Sequence, residues 1–89
     1  MAVLIHQLTT PLRLGEIVYH ARVWGAQRAD ALWEGWIEFI SADGIVRLST
    51  ARETVQSSED ALAYWARGLE PVYLDGALAR AIDLAARAA

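Results

Sequence analysis

Two histidines, His6 and His20, and a scatter of carboxylates are the groups in this chain that could support acid–base or metal chemistry. His20 alternates with Arg22 along one extended segment, and Glu34 or Glu38 could approach it from a neighbouring strand, as a carboxylate orients a general base. No serine, threonine or cysteine falls beside His20 at a spacing that supplies a nucleophile, so a titrating surface histidine is the preferred reading. Glu34 and Glu38 lie four apart in sequence, about 13 Å along a strand, too far to share one metal ion or one glycosidic bond. Cysteine is absent, which excludes thiolate metal ligands and disulfides. The loops at Gly15-Glu16, Gly25-Ala26 and Asp43-Gly44 match no phosphate-binding spacing. Arg52-Glu53-Thr54, with Gln56, precedes a helix start, where backbone N–H groups favour an anion. Capping and turn hydrogen bonds account for the same residues and are preferred. No catalytic residue, cofactor or metal ligand is assigned.

The aromatic residues carry more information. Trp24 and Trp36 share a strand face with Val18, Leu32, Ile40 and Ile45, rimmed by Arg22, Glu34, Glu38 and Arg47. Large aromatics with arginine at their border have the composition of an interface hot region. Two outcomes stay open: the face is a docking surface, or the leader or the C-terminal helix folds over it as a second small core. Base stacking on the tryptophans is disfavoured by the acid balance of the chain.

The elements that position these residues follow from periodicity. Residues 1–15 form a leader or edge strand, interrupted by Thr9-Thr10-Pro11 and Gly15. From Glu16 to Trp24 the pattern alternates, with Ile17, Tyr19, Ala21 and Val23 on one face. A second alternating run, Leu32 to Ile40, places Trp33, Gly35, Ile37 and Phe39 together. Asp43-Gly44 then suits a two-residue type I′ hairpin turn. With Ala42 and Ile45 flanking it, Phe39 lies opposite Leu48, Ile37 opposite Thr50 and Ser41 opposite Val46, so the apolar residues of both strands share a face. Residues 51–56 connect to a first helix over 57–67, started by Ser57-Ser58-Glu59-Asp60 and ended by Gly68 in the left-handed region. A second helix over 71–88 begins at Pro71 and presents a broad apolar stripe from Tyr73 to Ala85. The rival reading makes Val72-Tyr73-Leu74 a short strand. Trp33, Ile37, Phe39, Val46, Leu48, Leu62 and Trp65 are the expected core.

Eighty-nine residues hold one domain near the size at which a single core suffices. The expected class is α+β: a three-stranded antiparallel sheet over 16–50 followed by two helices, in two layers. All eight basic residues are arginine, the net charge is −3, and the basic footprint of a nucleic-acid binder is missing. The N-terminal Ala2-Val3-Leu4-Ile5 is too short for a signal segment, and a cytoplasmic protein with no membrane contact is expected.

The order of strands and helix resembles the N-terminal module of HicB-like antitoxins over roughly residues 16 to 67. The residues concerned are Tyr19 to Val23, Trp33-Glu34-Gly35-Trp36-Ile37-Glu38-Phe39, and Thr54 to Trp65 with Ser57, Asp60, Ala61 and Leu62 at the helix start. That resemblance implies a partner-binding sheet module without catalysis. The favoured function is a non-enzymatic interaction or regulatory module that binds a protein partner or itself. Trp24, Trp36, Arg22 and Arg47 on the sheet and Tyr73, Leu78 and Ile82 on the second helix are its candidate contacts. The alternative is a small oligomeric enzyme built around His20 and nearby carboxylates.

Overall fold

The computed structural model describes all 89 residues. Its elements are β1 (Val3–Gln7), β2 (Leu12–Leu14), β3 (Ile17–Gln27), β4 (Trp33–Ser41), β5 (Arg47–Ser49), β6 (Thr54–Gln56), α1 (Glu59–Arg67) and α2 (Pro71–Ala88). The protein is α+β with two helices on an antiparallel sheet of six strands, where three were expected. The difference lies at the edges. β1 and β2 both pair with β3, and β5 and β6 both pair with β4, so six strands occupy four positions across the sheet. The leader is therefore a broken edge strand, with an irregularity between Leu4 and His6. The connection over 51–56 contains β6.

Where the second edge breaks, Thr50 replaces the missing ladder. Its N–H donates to the Ile37 carbonyl at 2.9 Å, and its Oγ1 accepts from the Ile37 N–H at 3.0 Å. Both polar groups of a buried peptide are satisfied without a continuous strand. The register of β4 and β5 is the expected one, with Phe39 opposite Leu48 and Ile40 opposite Arg47. The turn is different. Gly44 alone has positive φ in this loop, at 78°, its N–H donates to the Ser41 carbonyl, and the Ser41 N–H donates to Val46. The loop is thus four residues, Ala42 to Ile45, and not a two-residue type I′ turn. Both loops are centred on the same point in sequence, so the register is unchanged. Asp43 explains the choice: its Oδ1 accepts from the Ser41 hydroxyl at 2.6 Å and from the Ile45 N–H at 3.0 Å. The same two bonds hold its carboxyl below the usual range.

The β3–β4 hairpin is longer than the sequence pattern marks, reaching Gln27 opposite Trp33. Its tip holds Ala31 at φ 70°, with Leu32 N–H donating to Asp30 Oδ1 at 3.1 Å. A left-handed alanine costs about 1–2 kcal/mol, and glycine there loses part of that gain to chain entropy. Ala31→Gly is expected to raise the unfolding free energy by about 0.5–1 kcal/mol in a urea titration.

Both helices pack on the same face of the sheet. Tyr19, Ala21, Val23, Ile37 and Phe39 from the two central strands meet Leu62 and Ala66 of α1 and Leu74, Ala77, Leu78 and Ala81 of α2. The small residues on the helices let them approach closely. Ile37, Phe39 and Leu62 are fully buried as expected, while Val46, Leu48 and Trp65 are half-buried against the core. Trp33 is not a core residue. It lies two ladder rungs beyond the Gly25–Gly35 rung that Leu62 covers, and is half-buried at the end of β4.

Ser58 caps α1, its Oγ accepting from Ala61 N–H at 3.0 Å, and Glu59 and Asp60 complement the dipole of the first turn. Gly68 ends the helix at φ −88°, outside the left-handed region expected of it. Its N–H donates to the Tyr64 and Trp65 carbonyls, so the last turn closes without positive φ. Pro71 is the first residue of α2, and Val72 to Leu74 are helical. The stripe of α2 is buried only from Leu74 to Ile82, and Leu84 and Ala85 are exposed where the helix runs past the sheet. No helix is long and apolar enough to cross a membrane.

Candidate functional site

Because both helices lie on one face, the other face of the sheet is left without a covering layer. Alternation puts Val18, His20, Arg22, Trp24 and Ala26 of β3 there, beside Glu34, Trp36, Glu38 and Ile40 of β4. The rungs across the two strands are His20–Ile40, Arg22–Glu38, Trp24–Trp36 and Ala26–Glu34. Leu4 of β1 extends the tryptophan rung, Arg47 and Ser49 of β5 extend the first two, and Val55 of β6 extends the last. Of the two outcomes left open by the sequence, a second core is the one the fold does not take. The leader adds to the sheet edge instead of covering this face, and the C-terminal helix packs on the opposite side.

Glu38 organises the centre of the face. Arg22 Nε and Nη2 donate to its Oε1 at 3.1 and 2.8 Å, and Trp24 Nε1 donates to the same oxygen at 2.9 Å. Arg47 Nη1 lies 3.5 Å from Oε2. The Arg22 guanidinium also stacks 5.4 Å from the centre of the Trp24 ring. Arg22, Trp24 and Arg47 are thus held in one arrangement around the Glu38 carboxylate. Burial pushes the Glu38 carboxyl up, but the hydrogen bonds from Trp24 and Arg22 and the charges of Arg22 and Arg47 outweigh it, and the net displacement is downward. A depressed carboxyl stabilises the fold above its unfolded value, near pH 4.3, and loses that contribution as pH falls through the folded value. Glu38→Gln is expected to be less stable at neutral pH and to lose less between about pH 5 and about pH 3, read from urea midpoints across that range.

Four of the seven candidate contacts, Trp24, Trp36, Arg22 and Arg47, are brought together on this face. The other three are not. Leu78 is 2% exposed and Ile82 half-buried, so both are spent on the protein's own core. Tyr73 sits on the helical side, its hydroxyl donating to Glu53 at 2.6 Å and its ring edge-to-face with Trp65. The cluster at Arg52-Glu53-Thr54 and Gln56 combines a local bond with contacts to α2. Glu53 binds Tyr73 and Arg80 of α2, and Gln56 donates to Thr54 Oγ1. Glu38 and Leu4 belong to the site but were not among its candidates. Glu38 is visible in the sequence as a rim residue, but its partnership with Arg22 depends on the β3–β4 register, and no glycine marks that turn.

His20 is exposed, and its cross-strand neighbour is Ile40. Of the two carboxylates that could orient it, Glu38 is engaged by Arg22, Trp24 and Arg47, and Glu34 lies opposite Ala26, about 20 Å along the strand. No three His, Asp or Glu side chains converge to hold a metal ion.

Comparison with protein families, curated proteins and solved structures returns no match. The geometry of the open face is therefore what bears on function. The helical side offers a second exposed apolar surface, a cleft of about 430 Å³ at the elbow of α1 and α2, lined by Tyr64, Trp65, Leu69, Val72 and Tyr73. Tyr73 of that lining is tied to Glu53 and Arg80.

Proposed function

We propose that this protein is a non-catalytic interaction module that binds a protein surface through the open face of its sheet. The observation that carries the reading is the one-sided packing of both helices, which leaves Trp24 and Trp36 on an uncovered face around a pre-ordered Arg22–Glu38–Arg47 network. A sheet face rich in tryptophan and arginine fits a hot spot, with the aromatic rung as its anchor and the arginines as its border. The resemblance to the HicB-like N-terminal module points to the same class of function, a sheet module that acts through a partner. The middle of the apolar stripe of α2, Leu74 to Ile82, is occupied within the chain.

Photo-crosslinking in cells tests the reading. A crosslinking residue at Ser49 or at Val18, both on the open face, is expected to give protein adducts, and one at Ala79, on the outer side of α2, none. Adducts from Ala79 alone would place the contact on the helical side and refute the reading. So would a full set of variants that form no adduct.

A further inference from the structure

The open face carries charge of both signs at opposite ends. At one end Arg47 extends the His20–Ile40 rung; its side chain is 61% exposed and makes only the 3.5 Å contact with Glu38. At the other end Glu34 is half-buried and belongs to none of the ion pairs of the chain. The four rungs are evenly spaced, so these two ends are equidistant from the midline between Arg22–Glu38 and Trp24–Trp36.

We infer that the face docks on the same face of a second copy, about a two-fold axis crossing the strands at that midline. This rests on the open face being a docking surface and names its occupant. Such an axis exchanges the first rung with the fourth and the second with the third. His20 then lies over Ala26 of the second copy and Arg47 over its Val55, one strand position from its Glu34 and within reach of it for so long a side chain, and by symmetry the approach is made twice. The tryptophan rung lies over the second copy's Arg22–Glu38 rung, where a guanidinium already stacked on one indole can receive another. An axis parallel to the strands would instead set basic end on basic end. Charge complementarity thus selects both the occupant and the axis.

The footprint sets the strength. Four strand positions about 4.8 Å apart and a rung span of seven residues give roughly 19 by 24 Å, or roughly 900 Å² for both copies. That is below the standard size of stable interfaces, and the dimer is expected to be reversible at micromolar concentrations or above.

Sedimentation equilibrium from micromolar to submillimolar concentration reads this directly, with thermal melts confirming that each variant folds. The wild type is expected to dimerise. Glu34→Arg and Arg47→Glu should each weaken the dimer by about tenfold or more, since each substitution opposes like charges at two symmetric contacts. The double swap Glu34→Arg with Arg47→Glu should return the affinity to near the wild-type value. A wild type that stays monomeric throughout overturns the two-fold, and that measurement needs no substitution. A swap no tighter than the single variants overturns it as well. A monomeric wild type whose Ser49 crosslinker still captures a different protein sinks the dimer alone, whereas loss of all adducts sinks the docking reading with it.

Discussion

Leu62→Ala is expected to lower the unfolding free energy by about 2–5 kcal/mol, a large part of the stability of a domain this small. Leu62 is fully buried, and its position depends on two residues with no side chain. Gly25 and Gly35 face each other across β3 and β4. A Cβ on Gly25 would stand 2.5 Å from one Leu62 methyl, and a Cβ on Gly35 2.6 Å from the other. The paired glycines form a socket in the sheet, and α1 keys into it. Gly25→Ala and Gly35→Ala should therefore each cost about 1–3 kcal/mol by overpacking. The decisive measurement is the cycle: in the Leu62→Ala background each glycine substitution should cost less, because the added methyl enters the vacated space. Equal costs in both backgrounds would show that the glycines serve the strand backbone and not the helix contact.

That socket shows where the sequence was legible and where it was not. The apolar face of β4, the register of β4 with β5, and the helix spans followed from alternation, capping residues and the Asp43-Gly44 pair. Each of these signals is local. The pairing of Gly25 with Gly35 needed the β3–β4 register, and the turn that sets it carries alanine at the left-handed position. Without a glycine to mark that turn, Gly25 to Ala31 read as an aperiodic connection. The edge strands were obscured for a different reason. β2 and β6 are three residues each, too short for period to decide, and β1 breaks its own alternation between Leu4 and His6.

The side taken by each helix was legible only in part. Both helices show an apolar stripe, and a stripe does not say which face of a sheet it covers. The buried alanines Ala66, Ala77 and Ala81 are the physical reason one face can take both, since small residues let two helices and a sheet approach without voids. With Leu78 and Ile82 drawn into that layer, Trp24 and Trp36 are left half-buried on the other face, and the exposed apolar side chains include Leu4 and Val55 at the sheet edges and Tyr64, Val72 and Leu84 on the helices. Of the candidate residues, Arg22, Trp24, Trp36 and Arg47 share one sheet face as alternation implied, whereas Leu78 and Ile82 pack in the core and Tyr73 is exposed beside Trp65.

Arg80→Ala is expected to cost about 2–3 kcal/mol, because it strands a carboxylate that the fold has already removed from water. The Glu53 side chain is only 9% exposed, and it receives Arg80 Nη2, Arg80 Nε at 3.3 Å and the Tyr73 hydroxyl at 2.6 Å. This is the polar clasp between the edge segment before β6 and α2, and the Arg80 guanidinium closes it by lying 5.5 Å from the Tyr73 ring centre. The figure stays below the roughly 3–5 kcal/mol of a fully buried pair because half of the Arg80 side chain remains in water. The double replacement Glu53→Leu with Arg80→Leu should be closer to wild type than Arg80→Ala alone, since no unpaired charge is left behind. The clasp also has an alkaline signature. Burial first, then the hydrogen bond to Glu53 and its charge, push the Tyr73 hydroxyl up to about 12 against the opposing charge of Arg80. A raised phenol stabilises the fold fully below its unfolded value, near pH 10, and loses that contribution as pH rises through the folded one. Urea midpoints should therefore fall between about pH 10 and about pH 12 in the wild type and fall less in Tyr73→Phe. An alkaline loss of the same size in Tyr73→Phe would assign the titration to another group and remove Tyr73 from the clasp.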